Sequence, residues 1–390
     1  MQYKPFQDLQ LSALGMGNMR LPTGEDGVID EQKAWEIITY AYENGVNYFD
    51  TAYRYHGGQS ESFVGKVLKE FPRDSWYIAS KMPGHMMSYE NGKLSFVGYL
   101  AGEKVKSIAQ IFEEQLQKCG VEYFDFYLLH NVCETSYDFY TNEKLGVVRY
   151  LLEQKKNGKI RHLGFSTHGM AQIIERFLDV YPGVFEFAQI QINYIDWDLQ
   201  EAGEKYRLLT GRGIPVIAME PVRGGKLCEL PGDVREPLEK ARPGETDASW
   251  AFRFLQSLDN IPVVLSGMST LEQLKENIGL FSDPKPLAGE ERELLRQAAG
   301  KMVDSVPCTK CRYCCEECPQ GLDIPLLLSL YEQANFGGMG ILNFNIGKMQ
   351  ERELPGACIG CGACSTVCPQ NIAIPGLLGK LDAIMAGAKK

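Results

Sequence analysis

The stretch Glu103–His130, EKVKSIAQIFEEQLQKCGVEYFDFYLLH, decides the fold. Its first part sets Val105, Ile108, Ala109, Phe112 and Leu116 on one face at helical spacing, which predicts an amphipathic helix over Glu103–Lys118. Its last eight residues, Tyr123–His130, form a short β-rich run. Helix followed by strand is one unit of an α/β protein, and the alternation continues in both directions. Comparable runs are LSALGMG (11–17), GVNYFDT (45–51), SWYIASK (75–81), KIRHLGFS (159–166), EFAQIQINY (186–194), GIPVIAME (213–220) and IPVVLSG (261–267). Eight strands with interleaved helices in about 270 residues suit a (β/α)8 TIM barrel better than an open doubly wound sheet. The open-sheet reading also lacks a GxGxxG after its first strand. Residues around Leu9, ahead of Gly15, predict a short hairpin across the barrel floor.

The chain has 390 residues, too long for one ordinary domain. SDPKP at 282–286 and the charged helical stretch Gly289–Lys301, stopped by Pro307, read as a connector. The division expected is a barrel over 1–285, a connector over 286–307 and a cysteine-rich domain over 308–390. Composition is that of a soluble globular protein, 44% apolar and 23% charged, with no apolar run near the ~20 residues that span a bilayer. A net charge of -10 argues against nucleic acid as partner. MQYKPFQDLQ does not read as a secretory leader, so a cytoplasmic location is expected.

Nine of the 12 cysteines fall after residue 307. Cys308, Cys311, Cys314 and Cys318-Pro319, then Cys358, Cys361, Cys364 and Cys368-Pro369, are two copies of Cys-x2-Cys-x2-Cys-x3-Cys-Pro, the bacterial ferredoxin signature for two 4Fe–4S clusters. Three thiolates from one loop take three corners of a cubane, and the fourth cysteine serves the other cluster. The ligand sets predicted are Cys308, Cys311, Cys314 and Cys368 for one cluster, and Cys358, Cys361, Cys364 and Cys318 for the other, with Cys315 left over. The tail is accordingly expected to be a small ferredoxin-like α+β domain. Disulfides suit a cytosolic chain poorly, and zinc sites do not call for a third Cys-x2-Cys step followed by Cys-Pro. Clusters that are purely structural remain an open alternative, because ligation alone does not establish electron flow.

In a (β/α)8 barrel the chemistry sits at the C-terminal ends of the strands. Asp50, Lys81, His130, Ser166, Gln191 and Glu220 fall at or near such ends. Phe49-Asp50-Thr51-Ala52-Tyr53-Arg54-Tyr55, Ser80-Lys81, Leu128-Leu129-His130, Gly158 through Ser166, and Gln191-Ile192-Asn193-Tyr194 follow in an order that resembles the aldo-keto reductases. With the tail, the whole chain resembles the branch of that superfamily fused to a ferredoxin-type domain. The resemblance implies a catalytic tetrad of Asp50, Tyr55, Lys81 and His130. Tyr55 is then the proton donor, its pKa lowered by the Lys81 cation, while Asp50 holds Lys81 and His130 orients a carbonyl. His56, His85 and His162 are read as loop residues.

The resemblance further implies NAD(P)H, with Ser166 and Gln191 on the nicotinamide carboxamide and Met219 where the family carries a stacking aromatic. Thr167-His168 stands where an asparagine usually follows the serine. Gly267, Met268, Ser269, Gln273, Glu276 and Asn277 match the adenosine end, with N–H groups near Thr270 offered to phosphate. The basic residues that grip a 2′-phosphate in many members are missing at Gly267 and Gln273, leaving Lys275 and the more distant Arg223 and Lys226. The function expected is an iron-sulfur oxidoreductase reducing a small-molecule carbonyl or conjugated carbonyl with NAD(P)H, cluster-delivered electrons, or both. A ferredoxin or flavoprotein is the redox partner such a protein would use. The alternative is an electron-transfer or redox-sensing protein whose barrel is a docking scaffold. The apolar and aromatic loop His85–Leu100 points to a bulky or apolar substrate.

Overall fold

A computed structural model describes residues 1–387 apart from Lys106, Asp304 and Ile341. Ser107 caps the helix of the Glu103–His130 unit by accepting from the Gln110 N–H, so the helix runs Ile108–Cys119 and starts later than its hydrophobic spacing predicts. Gly120, at φ 61°, ends it. Each of the eight β-rich runs supplies one strand: β1 (Leu14–Gly17), β2 (Tyr48–Asp50), β3 (Tyr77–Met82), β4 (Phe124–Leu129), β5 (Ile160–Thr167), β6 (Ala188–Gln191), β7 (Val216–Met219) and β8 (Val263–Ser266). All neighbours pair in parallel, and β8 returns to β1 through Val264 opposite Leu14 and Leu265 opposite Gly15, closing the barrel.

The expected floor hairpin forms from Tyr3–Phe6 and Leu9–Ser12. Its buried Phe6 and Leu11 join Tyr48, Phe126, Phe187, Ile217 and Val263 inside the barrel. Each such side chain removed from water contributes about 1.5–3 kcal/mol. His162 belongs to this floor layer rather than to a loop: it lies within β5, buried, 5.1 Å ring to ring from Phe6 and paired with Glu186 at 3.0 Å. Outside the sheet, helices Ser60–Leu68 and Ile108–Cys119 meet at Gly65, where a Cβ would lie 2.1 Å from the Cys119 carbonyl oxygen. A second hairpin, Met87–Glu90 with Lys93–Phe96, rises from the loop after β3. It turns on Asn91 and Gly92, both with positive φ.

Helix Gly289–Met302 packs on the barrel, burying Leu295 and Ala298 in the main core and pairing Glu291 with Arg242 at 2.5 Å. Among the described residues beyond it the elements are helices and 3-10 turns, without the strands that an α+β ferredoxin-like arrangement would bring. The reason is local. The links between each Cys-Pro turn and the helix that follows, residues 321–323 and 371–373, make no strand pairing, and Asp323 instead caps the helix after it by accepting from the Leu326 N–H at 3.4 Å. Helices Ile324–Gly337 and Ile374–Gly387 pack together through Leu327, Leu328, Leu378 and Leu381 in a core separate from the barrel's. No described helix is long and apolar enough to cross a membrane.

Candidate functional site

A cavity of about 1070 Å³ opens at the C-terminal ends of the strands. Asp50 ends β2 and Lys81 lies near the end of β3, both buried, while His130 follows β4 directly. The Lys81 ammonium donates to Asp50 Oδ1 at 2.6 Å, to the Thr51 carbonyl at 2.8 Å and to Tyr55 Oη at 3.4 Å. The His130 ring stands 6.1 Å from the Tyr55 ring, edge on. The four residues proposed as a tetrad therefore converge, and Asp50, Tyr55 and His130 line the cavity.

Burial disfavours the Lys81 charge, but Asp50 and Tyr55 outweigh it and hold its pKa above the usual value. Tyr55 departs from expectation. Burial pushes its phenol above 10 and the opposing pull of Lys81 does not overcome it, so the proton stays on oxygen at neutral pH. His130 is driven well below its usual range by burial, with His85, Lys81 and His168 adding to the effect. It is a neutral imidazole.

Four of the five histidines, His56, His85, His130 and His168, line this cavity. His85 is not a bystander on its loop: its Nδ1 lies 3.1 Å from the His130 carbonyl and the two rings are 4.3 Å apart. Tyr140 fixes the same corner, donating to the carbonyls of His130 (2.8 Å) and Met82 (2.9 Å).

The carboxamide end differs in detail from the sequence reading. Ser166 is on the wall, where its Oγ accepts from the Asn131 N–H at 2.9 Å. Gln191 is buried off the wall with its amide donating to Asp196 Oδ2 at 2.7 Å, and Gln189, two positions earlier on β6, takes the wall instead. Thr167 spends its hydroxyl on the Val132 carbonyl at 2.6 Å. In its place Asn131 comes from the end of β4, with Oδ1 accepting from the His168 N–H at 2.9 Å. Asn131 Nδ2 and Gln189 Oε1 are buried, belong to wall residues and lack a hydrogen-bond partner. One spare donor beside one spare acceptor fits a primary carboxamide, and Met219 lies next to them with its Sδ 3.5 Å from Gln189 Nε2.

At the other end Gly267, Met268, Ser269, Gln273, Glu276 and Asn277 all line the cavity. The N–H groups near Thr270 are not free for phosphate. Helix Leu271–Ser282 opens with a capping box in which Gln273 Oε1 accepts from Ser269 (2.9 Å) and Thr270 (3.3 Å). Arg20, which the sequence reading passed over, supplies a basic residue here. It lies against Gly267, its carbonyl accepts from Ser269 Oγ at 2.7 Å, and it forms no ion pair among the described residues.

In the tail, one small cavity is lined by Cys308, Cys311, Cys314 and Cys368 and a second by Cys318, Cys358, Cys361 and Cys364. Each thus takes three cysteines from one motif and the fourth from the other. Among the described residues no three cysteine, histidine or acidic side chains are grouped to hold a single metal ion. Four thiols spread around one hollow suit a multi-iron cluster. Left-handed backbone at Lys310 and Arg312, matched by Gly360 and Gly362, winds the two loops alike.

A closed parallel barrel with a buried Asp–Lys pair at its strand ends and a Tyr beside it, joined to paired cysteine loops, defines an iron-sulfur oxidoreductase class. The Aldo/keto reductase family model matches residues 13–298 and a 4Fe-4S dicluster domain model matches 301–369. The chain belongs to the aldo-keto reductase family and carries a 4Fe–4S ferredoxin-type domain. It is 29% identical over 307 residues to the probable aldo-keto reductase 1 of Glycine max, covering 71% of this chain and 82% of that protein. It is 28% identical over 323 residues to the NADH-specific methylglyoxal reductase of Escherichia coli (strain K12), covering 75% and 96%. Among solved structures it resembles the holo form of aldo-keto reductase AKR11C1 from Bacillus halodurans, with a TM-score of 0.61, 26% identity, and coverage of 76% of this chain and 96% of that one.

Proposed function

We propose that the protein reduces a small-molecule carbonyl, with Tyr55 as proton donor and NAD(P)H as hydride source. The convergence of Asp50, Lys81, Tyr55 and His130 at one end of the cavity carries the reading. A bound nicotinamide would supply two electrons as hydride to the carbonyl carbon. Tyr55 Oη gives its proton to the carbonyl oxygen, completing the alcohol. Lys81 stabilises the phenolate left behind, and its charge acts most strongly as that phenolate forms, which offsets the raised resting pKa of Tyr55. Neutral His130 donates a hydrogen bond to the carbonyl oxygen and orients it. Asn131 and Gln189, beside Ser166, would hold the carboxamide, and Arg20 would meet a cofactor phosphate. Similarity to a reductase named NADH-specific and the neutral Gly267 and Gln273 favour NADH.

In the tail, Cys308, Cys311, Cys314 and Cys368 would ligate one 4Fe–4S cluster and Cys318, Cys358, Cys361 and Cys364 the other. A second reading, in which reduced ferredoxin or a flavoprotein feeds electrons through the clusters to the same substrate, is favoured by one observation: Gly340 and Phe344, between the two motifs, line the catalytic cavity. Anaerobically purified protein, assayed with a carbonyl panel against NADH, NADPH and reduced ferredoxin, separates the two. Tyr55→Phe is expected to cut kcat about 10²–10⁴-fold while leaving cluster absorbance unchanged; full activity in that variant rules out the tetrad.

A further inference from the structure

The cavity is not closed by the barrel alone. Phe344, on the short helix Leu342–Ile346 between the two cysteine motifs, stands over the catalytic end. Its ring lies 6.2 Å from the His85 ring, edge on, and 6.3 Å from the His168 ring with the planes only 13° apart. The segment carrying it is tied to two barrel loops, those after β4 and β5. Lys348 pairs with Asp138, and Gly347 packs so closely on Thr135 that a Cβ would come within 2.5 Å of its Cγ2. With its amide turned to suit its neighbours, Asn345 donates to the His168 carbonyl and to Glu134 Oε2, both at 3.3 Å. Upstream, Lys226 donates to the Phe336 carbonyl at 2.9 Å and the Arg223 guanidinium stacks 4.6 Å from the Phe336 ring.

We propose that Phe344 is a specificity-determining residue, the wall that the cluster domain contributes to the substrate site, and that the substrate it selects is an aromatic or flat conjugated carbonyl compound. The proposal rests on the carbonyl reductase reading of the same cavity. Three aromatic rings, His85, His168 and Phe344, surround the space above the tetrad, and two of them are nearly parallel. Both imidazoles are held neutral by burial, with pKa values near 4, so the rim offers faces and edges for stacking rather than charge. Lys81, the cation within the tetrad, is already paired with Asp50 and does not select an anionic substrate. The barrel and the tail then form one active site.

Calorimetric binding of benzaldehyde to the cluster-loaded full chain, with oxidised nicotinamide present to prevent turnover, tests this without relying on activity. Phe344→Ala is expected to weaken benzaldehyde binding about tenfold, the worth of one aromatic contact, with nicotinamide affinity and cluster absorbance retained. In turnover it should raise KM for benzaldehyde but leave KM for methylglyoxal within about twofold, and Phe344→Trp should disfavour bulkier aromatic aldehydes. Benzaldehyde affinity within about twofold of wild type in Phe344→Ala, or no benzaldehyde binding by wild type, overturns the proposal. Where Phe344→Ala loses its clusters, Phe344→Leu carries the same measurement. Failure of the reductase reading shows separately, as absent carbonyl turnover by wild type, and the binding ratio is still read.

Discussion

The barrel cavity and the cysteine tail reach function by opposite routes. In the barrel, Asp50 and Lys81 lie buried in two neighbouring strands and His130 directly follows a third, over a large apolar core. Their positions follow from closure of a sheet whose first and last strands lie about 250 residues apart. In the tail, each set of three cysteines lies within seven consecutive residues, and the loops curve around hollows that side chains do not fill. Both regions have an apolar core of their own, and clusters held in the tail, as proposed, would add binding free energy to its stability that the barrel core does not draw on.

The sharpest way to break that comparison is to remove a ligand. Cys368→Ala is expected to eliminate the cluster built on Cys308, Cys311 and Cys314, halving iron and acid-labile sulfide and loosening the tail to proteolysis. The thermal transition of the barrel should persist. Loss of the other cluster instead would disprove the crossed pairing, and loss of both transitions together would make the two regions one cooperative unit.

The same contrast governs what could be read from residues alone. The cysteine loops were legible because their chemistry is local: spacing within one loop carries it, and the crossed fourth cysteine follows from the proline turn. The eight strands were legible as short β-rich runs, and the four residues proposed as a tetrad were singled out by the order of their motifs. Asn131, Gln189, His85, His168 and Arg20 were not, because each reaches the cavity through loop geometry or β-strand register. Gln189 and Gln191 are indistinguishable by strand alternation, and only the bond to Asp196 takes Gln191 off the wall. One missed signal was present: Asn91-Gly92 between short apolar runs marks the hairpin after β3. Phe344 had no signal, since only docking of the tail brings it to the barrel.

Within the barrel the next largest effect falls on the ion pair. Lys81→Met leaves Asp50 buried without its cation, so a loss of about 3–5 kcal/mol in unfolding free energy is expected by denaturant titration of the full chain. Reductase activity should vanish with it. Asp50→Asn combined with Lys81→Met should recover much of the stability and none of the activity, because no uncompensated buried charge remains. Smaller still is the carboxamide contact. Asn131→Ala should raise the nicotinamide Kd about tenfold, the worth of one hydrogen bond with its buried partner left unmet, at nearly unchanged cluster content. An unchanged Kd would return the carboxamide grip to Ser166 and Gln189 alone.

The smallest effect lies where the two regions touch. Burial holds His85 and His168 near pKa 4, with Lys205 and His85 adding to the depression of His168. Unfolded, both would take up a proton below about pH 6.5, whereas in the folded protein they do so only near 4. Their contribution is fully present above the unfolded pKa and is lost as pH falls from about 6.5 towards 4, because the unfolded chain then binds more protons. At about pH 5 the loss is on the order of 2 kcal/mol per histidine. Since Phe344 covers both rings, Phe344→Ala should raise their pKa values towards 6.5 and flatten this part of the stability–pH curve, as followed by imidazole proton shifts and denaturant titration at about pH 5 and 7. Unmoved histidine pKa values would mean that the barrel alone buries these rings, and that the tail rests on the cavity without sealing it.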